Sequence, residues 1–206
     1  MHKAILISGW IVLGYFSGAL VWGYWISRFL YGTDIRRHGS GNIGATNVFR
    51  VLGPVPGILT FLLDILKGFV PVYFAQHIAG AGISHFFPVA VGCAAIVGHT
   101  FPIFLKGKGG KAVSCSFGVL LALFPVAASV ALMVWLAVFL ASGYVSLGSI
   151  AAAVALPIFV RFYGSDTLLV IVACAICVLV IWAHRANLKR LASGTENRMN
   201  IWKRLR

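Results

Sequence analysis

The sequence predicts an all-α integral membrane protein, a single polytopic domain over residues 1–206 made of seven transmembrane helices, with its N-terminus outside and its C-terminus cytoplasmic. Three observations predict it. Of 206 residues, 60% are hydrophobic and 10% charged, against about 25% charged in an ordinary soluble domain. The mean hydropathy is +0.96. Finally, 17 Lys and Arg stand against four Asp and Glu, a net charge of +13, and the cations sit in short segments between apolar runs. Such an excess points to anionic partners, either lipid headgroups or phosphorylated molecules. Nucleic acid is not expected, because no separate soluble region carries the charge.

Ala4 to Ile26 is an uncharged run of 23 residues, longer than the roughly 7–15 of a signal-peptide core, and is read as the first span. A polar segment, Arg28 to Gly53, leads into the second, Pro54 to Phe74. That run carries Asp64 and Lys67, three apart and so on one helix face, which predicts an internal ion pair. Phe86 to Leu105 is the third span, followed by the basic loop Lys106 to Lys111. Tyr144 to Val160 and Thr167 to Ala183 are the last two, and a basic tail follows.

Between these lie 30 uncharged residues, Ala112 to Ala141, interrupted by Pro125. Charge decides how often they cross. Two crossings place fourteen of the seventeen Lys and Arg on one side and leave Lys3 and Arg161 on the other, as the positive-inside rule requires; one crossing splits them evenly. Two crossings of about 15 residues are about 22 Å each against a core of about 30 Å, which calls for local thinning or a loop sunk into the bundle.

No metal or cofactor is expected. Cys174 and Cys177 form a CxxC with no second pair to complete a tetrahedral site, and with Cys93 and Cys115 they are read as small residues packed between helices.

Three basic, donor-rich segments carry the chemistry. The first, Gly39 to Asn47 with Arg50, formally matches GxGxxG at Gly39, Gly41 and Gly44, but no buried strand precedes it and no βαβ unit contains it. What remains is an anion nest, with tight glycine turns and the small donors Ser40, Asn42, Thr46 and Asn47, or else a flexible polar loop. The second, Lys106, Gly107, Lys108, Gly109, Gly110 and Lys111, is no Walker A loop, since Leu105 stands where its first glycine belongs. Lysines and glycines before a helix start suit a phosphate, or a plain cytoplasmic anchor. The third begins at His184, at the end of the last helix, and includes Arg185, Asn187, Lys189, Arg190, Gly194 and Glu196. Beyond it, Met199, Ile201, Trp202 and Leu205 interleave with Arg198, Lys203, Arg204 and Arg206, the pattern of a short helix in the headgroup layer. Ser146 and Ser149 are placed to cap a helix start or to offer hydroxyls to a phosphate. A proton pump would want carboxylates within the spans, and only Asp64 is there. A transporter for a phosphorylated solute is the rival from another class, although no inverted repeat is visible.

The strings SGNIGATN followed by Arg50, GHTFPIFLKGKGGKAVS from Gly98 to Ser114, and HRANLKRLASGTE from His184 to Glu196 resemble the three motifs of the bacterial acyl-phosphate glycerol-3-phosphate acyltransferases. The resemblance covers the whole chain. None of the six histidines has Asp five residues later, so the HxxxxD acyltransferase motif is missing. The resemblance implies transfer of an acyl group from acyl phosphate to the 1-hydroxyl of sn-glycerol 3-phosphate at the cytoplasmic face of a bacterial inner membrane, with no cofactor and no obligate protein partner. It assigns Ser40 and Arg50 to the essential first motif, the glycines around Lys108 and Lys111 to a phosphate loop, His184 and Asn187 to the substrate site, and a structural role to Glu196. Within that scheme Arg50 and Lys111 would neutralise the two phosphates, and loop N–H groups with Asn42 or Asn47 would stabilise the oxyanion.

Overall fold

The computed structural model describes residues 2–78, 83–84, 86–163 and 166–199. Among them every regular element is helical: α1 (His2–Ala19), α2 (Trp22–Trp25), α3 (Ala45–Leu52), α4 (Pro54–Ile78), α5 (Phe87–Thr100), α6 (Val113–Leu123), α7 (Pro125–Ser142), α8 (Val145–Phe162), α9 (Thr167–Ala183) and α10 (Arg185–Ala192). The headgroup helix expected in the tail falls mostly on residues 200–206, outside the described residues.

Five stretches are long and apolar enough to cross a membrane: His2–Leu30, α4, α5 with its extension to Leu105, α7 and α8. The bent pair α9 and α10 makes a sixth. The seventh segment, α6, differs from expectation. Instead of two equal crossings, the 30 uncharged residues divide into a helix of 11 and a helix of 18. Pro125 causes the inequality, because it brings no N–H to the preceding turn and disfavours helical backbone at Phe124. At 1.5 Å per residue α6 is about 16 Å long, too short to span a core of about 30 Å by itself.

The chain divides into two compact units between Phe124 and Pro125. In the first, α1 lies along α5 and α4, and α4 along α6 and α3. Glycines set these distances. A Cβ at Gly14 or Gly18 would run into the carbonyls of Val91 or Ala95, and one at Gly98 into that of Tyr15, so α1 and α5 meet backbone to backbone through a small-xxx-small face. On α4, Gly68 does the same against Cys115 of α6.

The first span is not continuous: α1 ends at Ala19, and after α2 the chain runs through a π-helical turn, Ile26–Leu30. Where a helix breaks at membrane depth, the carbonyls it frees need partners from within the protein, because lipid supplies none. Two carbonyls left without a helical N–H, one within α4 and one at the break, are satisfied between the first span and α4. Pro71 cannot donate to the carbonyl of Lys67, and the Ser17 hydroxyl of α1 donates to that carbonyl instead, at 2.8 Å. Lys67 Nζ donates to the Leu20 carbonyl at the break, at 2.6 Å, and pairs with Asp64 Oδ1 at 2.7 Å. The predicted intramembrane ion pair is therefore present, buried, and tied to the break between α1 and α2.

In the second unit α7 packs on α8 and α8 on α9. Of the cysteines expected to pack between helices, Cys115 is buried, Cys93 and Cys177 are half-buried, and Cys174 is exposed on α9.

Candidate active site

The first loop is organised around Asn47. This residue is 2% exposed, and its Oδ1 accepts the Ser40 N–H at 2.8 Å. Its Nδ2 donates to the carbonyls of Ile35, His38 and Asn42 at 3.3, 3.0 and 2.9 Å. The amide expected to serve the substrate is thus committed to shaping the loop. Asn42 is used likewise, with Oδ1 accepting the Gly44 N–H at 2.8 Å. Gly39 and Gly41 hold φ near +60° and +71°, where only glycine sits without strain; a Cβ on Gly39 would also strike Asn47 Oδ1. The result leaves the Ser40 side chain exposed, with Thr46 and Arg50 half-buried one helical turn apart on α3.

Upstream, Asp34 caps the 3-10 turn Ile35–Arg37 and takes a two-point ion pair from Arg36 at 2.9 and 2.7 Å. Those bonds hold its carboxyl well below the usual carboxylate range, against a smaller opposing effect of burial. The Arg36 guanidinium also lies 4.5 Å over the Tyr24 ring. Val21, Ile35, Ile43 and Val48 form the buried core beneath the loop, and Leu105 packs against it. The start of the lysine loop is thereby joined to the first motif.

The lysine loop corrects an expectation. Four of its N–H groups are spent within the chain rather than offered to a ligand: Gly107 donates to Pro102, Lys108 to Leu105, Gly109 to Thr100 and Gly110 to His99, at 3.0–3.2 Å. Gly109 and Gly110 are glycine for want of space, since a Cβ on either would collide with the His99 and Thr100 carbonyls or with the His99 ring. The ligand-facing candidates here are side chains, Lys108 exposed and Lys111 half-buried, together with the α6 N-terminus, where no side chain caps Ala112.

In the second unit, His184 is 3% exposed at a 59° bend between α9 and α10. Its Nδ1 lies 2.8 Å from the Val180 carbonyl; a carbonyl only accepts, so Nδ1 carries the proton and a neutral ring keeps its basic lone pair on Nε2. Glu196 gathers the rest of the motif. Its Oε1 accepts from Asn187 Nδ2 at 2.6 Å and Ser146 Oγ at 2.9 Å, and its Oε2 accepts from Arg190 Nε at 2.6 Å. Burial pushes its pKa up, but these three hydrogen bonds outweigh it and the carboxyl ends below its ordinary 4.5. The tail continues onto the α7–α8 turn, with Met199 N–H on Gly143 O at 2.8 Å and Arg198 Nε on Ser142 O at 3.1 Å.

Two serines thereby change role. Ser146 gives its proton to Glu196. Ser149 donates to the Val145 carbonyl at 2.9 Å and accepts from Trp135 Nε1 at 3.2 Å. Neither caps α8, whose cap residue Tyr144 has no side-chain bond.

Compared with known proteins, the chain is matched over residues 8–194 by the model of the family described as glycerol-3-phosphate acyltransferase. The chain belongs to the glycerol-3-phosphate acyltransferase family. A member from Endomicrobium trichonymphae is 46% identical, with 95% of this chain and 96% of that one covered. One from Carboxydothermus hydrogenoformans is 42% identical, with 93% and 96% covered. Among solved structures, PlsY (YgiH), an integral membrane glycerol 3-phosphate acyltransferase, superposes in its glycerol 3-phosphate form with a TM-score of 0.90 at 38% identity, covering 97% of this chain and 98% of that one. Its lysophosphatidic acid form gives 0.85. The motif resemblance was thus to the right family, while Arg190 as partner of Glu196, and the contact of His99 with the lysine loop, were not read from the sequence.

One prediction concerns the loop keystone. Asn47→Ala removes the acceptor for Ser40 N–H and leaves buried carbonyls unpaired, each costing about 1–3 kcal/mol. Activity should fall at least about tenfold, and backbone amides of residues 38–42 should exchange with deuterium faster than in the parent.

Proposed function

We propose that this protein transfers an acyl group from acyl phosphate to the 1-hydroxyl of sn-glycerol 3-phosphate, giving lysophosphatidic acid and inorganic phosphate as the first step of bacterial phospholipid synthesis. The observation that carries the reading is the likeness, over 97% of the chain, to PlsY, an enzyme solved in both a glycerol 3-phosphate form and a lysophosphatidic acid form. The whole chain acts as one catalytic domain in the inner membrane, with seven membrane helices, the N-terminus outside and the motif loops cytoplasmic, in keeping with the placement of positive charge.

In the reaction the glycerol oxygen attacks the acyl carbon, the bond from that carbon to the phosphate oxygen breaks, and the departing phosphate takes the hydroxyl proton. Phosphate is already a good leaving group, so positioning and charge neutralisation supply the catalysis. Arg50 and Lys111 neutralise phosphate, with Lys108 adding positive field. Ser40 and Thr46 offer hydroxyls, and His184 orients substrate through Nε2. Asn187, held in place by Glu196, lines the substrate site. Neither cofactor nor protein partner is needed.

The test is purified protein in detergent given glycerol 3-phosphate with acyl phosphate or with acyl-CoA. Lysophosphatidic acid should form with acyl phosphate alone. Product from acyl-CoA would reassign the donor, and no product from either would sink the reading. Because no sealed membrane is present, product formation also eliminates transport.

A further inference from the structure

In the first unit Asp64, Lys67 and His99 are ionisable side chains more than nine-tenths buried, and the reaction above uses none of them. Lys67 is accounted for by Asp64 and by the Leu20 carbonyl. His99 is not. Its Nδ1 faces Asp64 Oδ1 at 3.9 Å, beyond hydrogen-bond reach, and has no hydrogen-bond partner among the described residues. A buried polar atom left this way costs about 1–3 kcal/mol, so its place in the fold calls for a reason.

What His99 holds is the lysine loop. Its carbonyl accepts the Gly110 N–H at 3.0 Å. Its ring lies so close to Gly110 that an added Cβ would collide with Nε2, Cε1 and Cδ2. Gly110 immediately precedes Lys111, so the path of the chain into Lys111 follows the tilt of the imidazole. That tilt is in turn faced by the carboxylate on α4.

We propose that Asp64 and His99 are positioning residues: the Asp64 carboxylate aims the His99 imidazole, the imidazole seats Gly110, and Lys111 is thereby set at the distance it keeps from a substrate phosphate. The inference rests on the acyltransferase reading and deepens it.

Steady-state kinetics on the full chain in detergent test it. Lys111→Met first identifies the phosphorylated substrate whose KM depends on that lysine. His99→Phe keeps a ring against Gly110 and removes the atom facing Asp64; Asp64→Asn keeps an oxygen for Lys67 and removes the charge. Each should raise that same KM about tenfold and change kcat less than about threefold; His99→Phe, which leaves the Asp64–Lys67 pair intact, should also keep the thermal midpoint within a few degrees of the parent. The double variant should be no worse than either single one, because both act on one linkage. A purely structural role lowers the active fraction instead, so kcat falls while KM stays. An unchanged KM in the variants that fold overturns the proposal, as does failure of both to fold. A parent chain that makes no lysophosphatidic acid strikes the acyltransferase reading, a separate result.

Discussion

His184→Ala is expected to lower kcat by about 10²-fold, with little change in KM, and added imidazole should not restore it. The ring is buried at the α9–α10 bend and fixed by Nδ1 donation to Val180, which directs Nε2 for hydrogen bonding rather than leaving the ring free to turn. A misplacement of about 1 Å in a reacting group is worth about 10²-fold. The proton has another acceptor at hand, because a phosphate with a second pKa of about 6 is mostly dianionic at neutral pH and basic enough to take it. Loose imidazole in the vacated space would lack the Val180 tether and could not restore orientation. If it restored turnover with substrate still bound, His184 would be the general base and phosphate would lose that role.

The membrane class and the positions of the long apolar helices were legible because they depend on composition and hydropathy, which packing does not alter. Thr167–Ala183 is helical over the bounds its hydropathy indicates, and Asp64 and Lys67 pair as their spacing indicates. Legibility failed where a property belongs to the chain's return upon itself. Glycines between lysines suggest exposed N–H groups, yet the N–H groups of Gly107, Gly109 and Gly110 are spent on carbonyls at the end of α5 and just beyond it, a contact that no local spacing records. Ser146 and Ser149 fit a cap by position, but Glu196, fifty residues beyond Ser146, claims the first. The break in the first span leaves no mark in hydropathy, because Leu20 and Val21 are as apolar as their neighbours. The spacing of Gly14 and Gly18 does carry a readable sign, since it marks the face of α1 packed on α5.

Glu196→Ala is expected to destabilise the protein by about 2–4 kcal/mol, lowering the thermal midpoint in detergent by about 5–12 °C, and to cut turnover by releasing Asn187. The Glu196 carboxylate takes three hydrogen bonds while its side chain is 6% exposed, and bonds to a charged group contribute about 1.5–3 kcal/mol each before losses are shared among partners that rehydrate. Arg190 is 32% exposed, so its ionic share is screened and adds little. Glu196→Gln retains an acceptor for Asn187 and Ser146 by setting its amide N–H against Arg190, which places it between parent and alanine variant. The pH dependence separates charge from shape. Because the carboxyl is held below its ordinary 4.5 in the fold, its stabilisation is complete at neutral pH. It declines as pH falls below 4.5 and is lost once pH passes through the lowered folded value. The gap in midpoint between parent and Glu196→Gln should therefore close on acidification. Asp34, also held low by its arginine, acts in the same direction but is present in both proteins and cancels in the difference. A gap that stayed constant through the acid range would assign the role of Glu196 to shape alone.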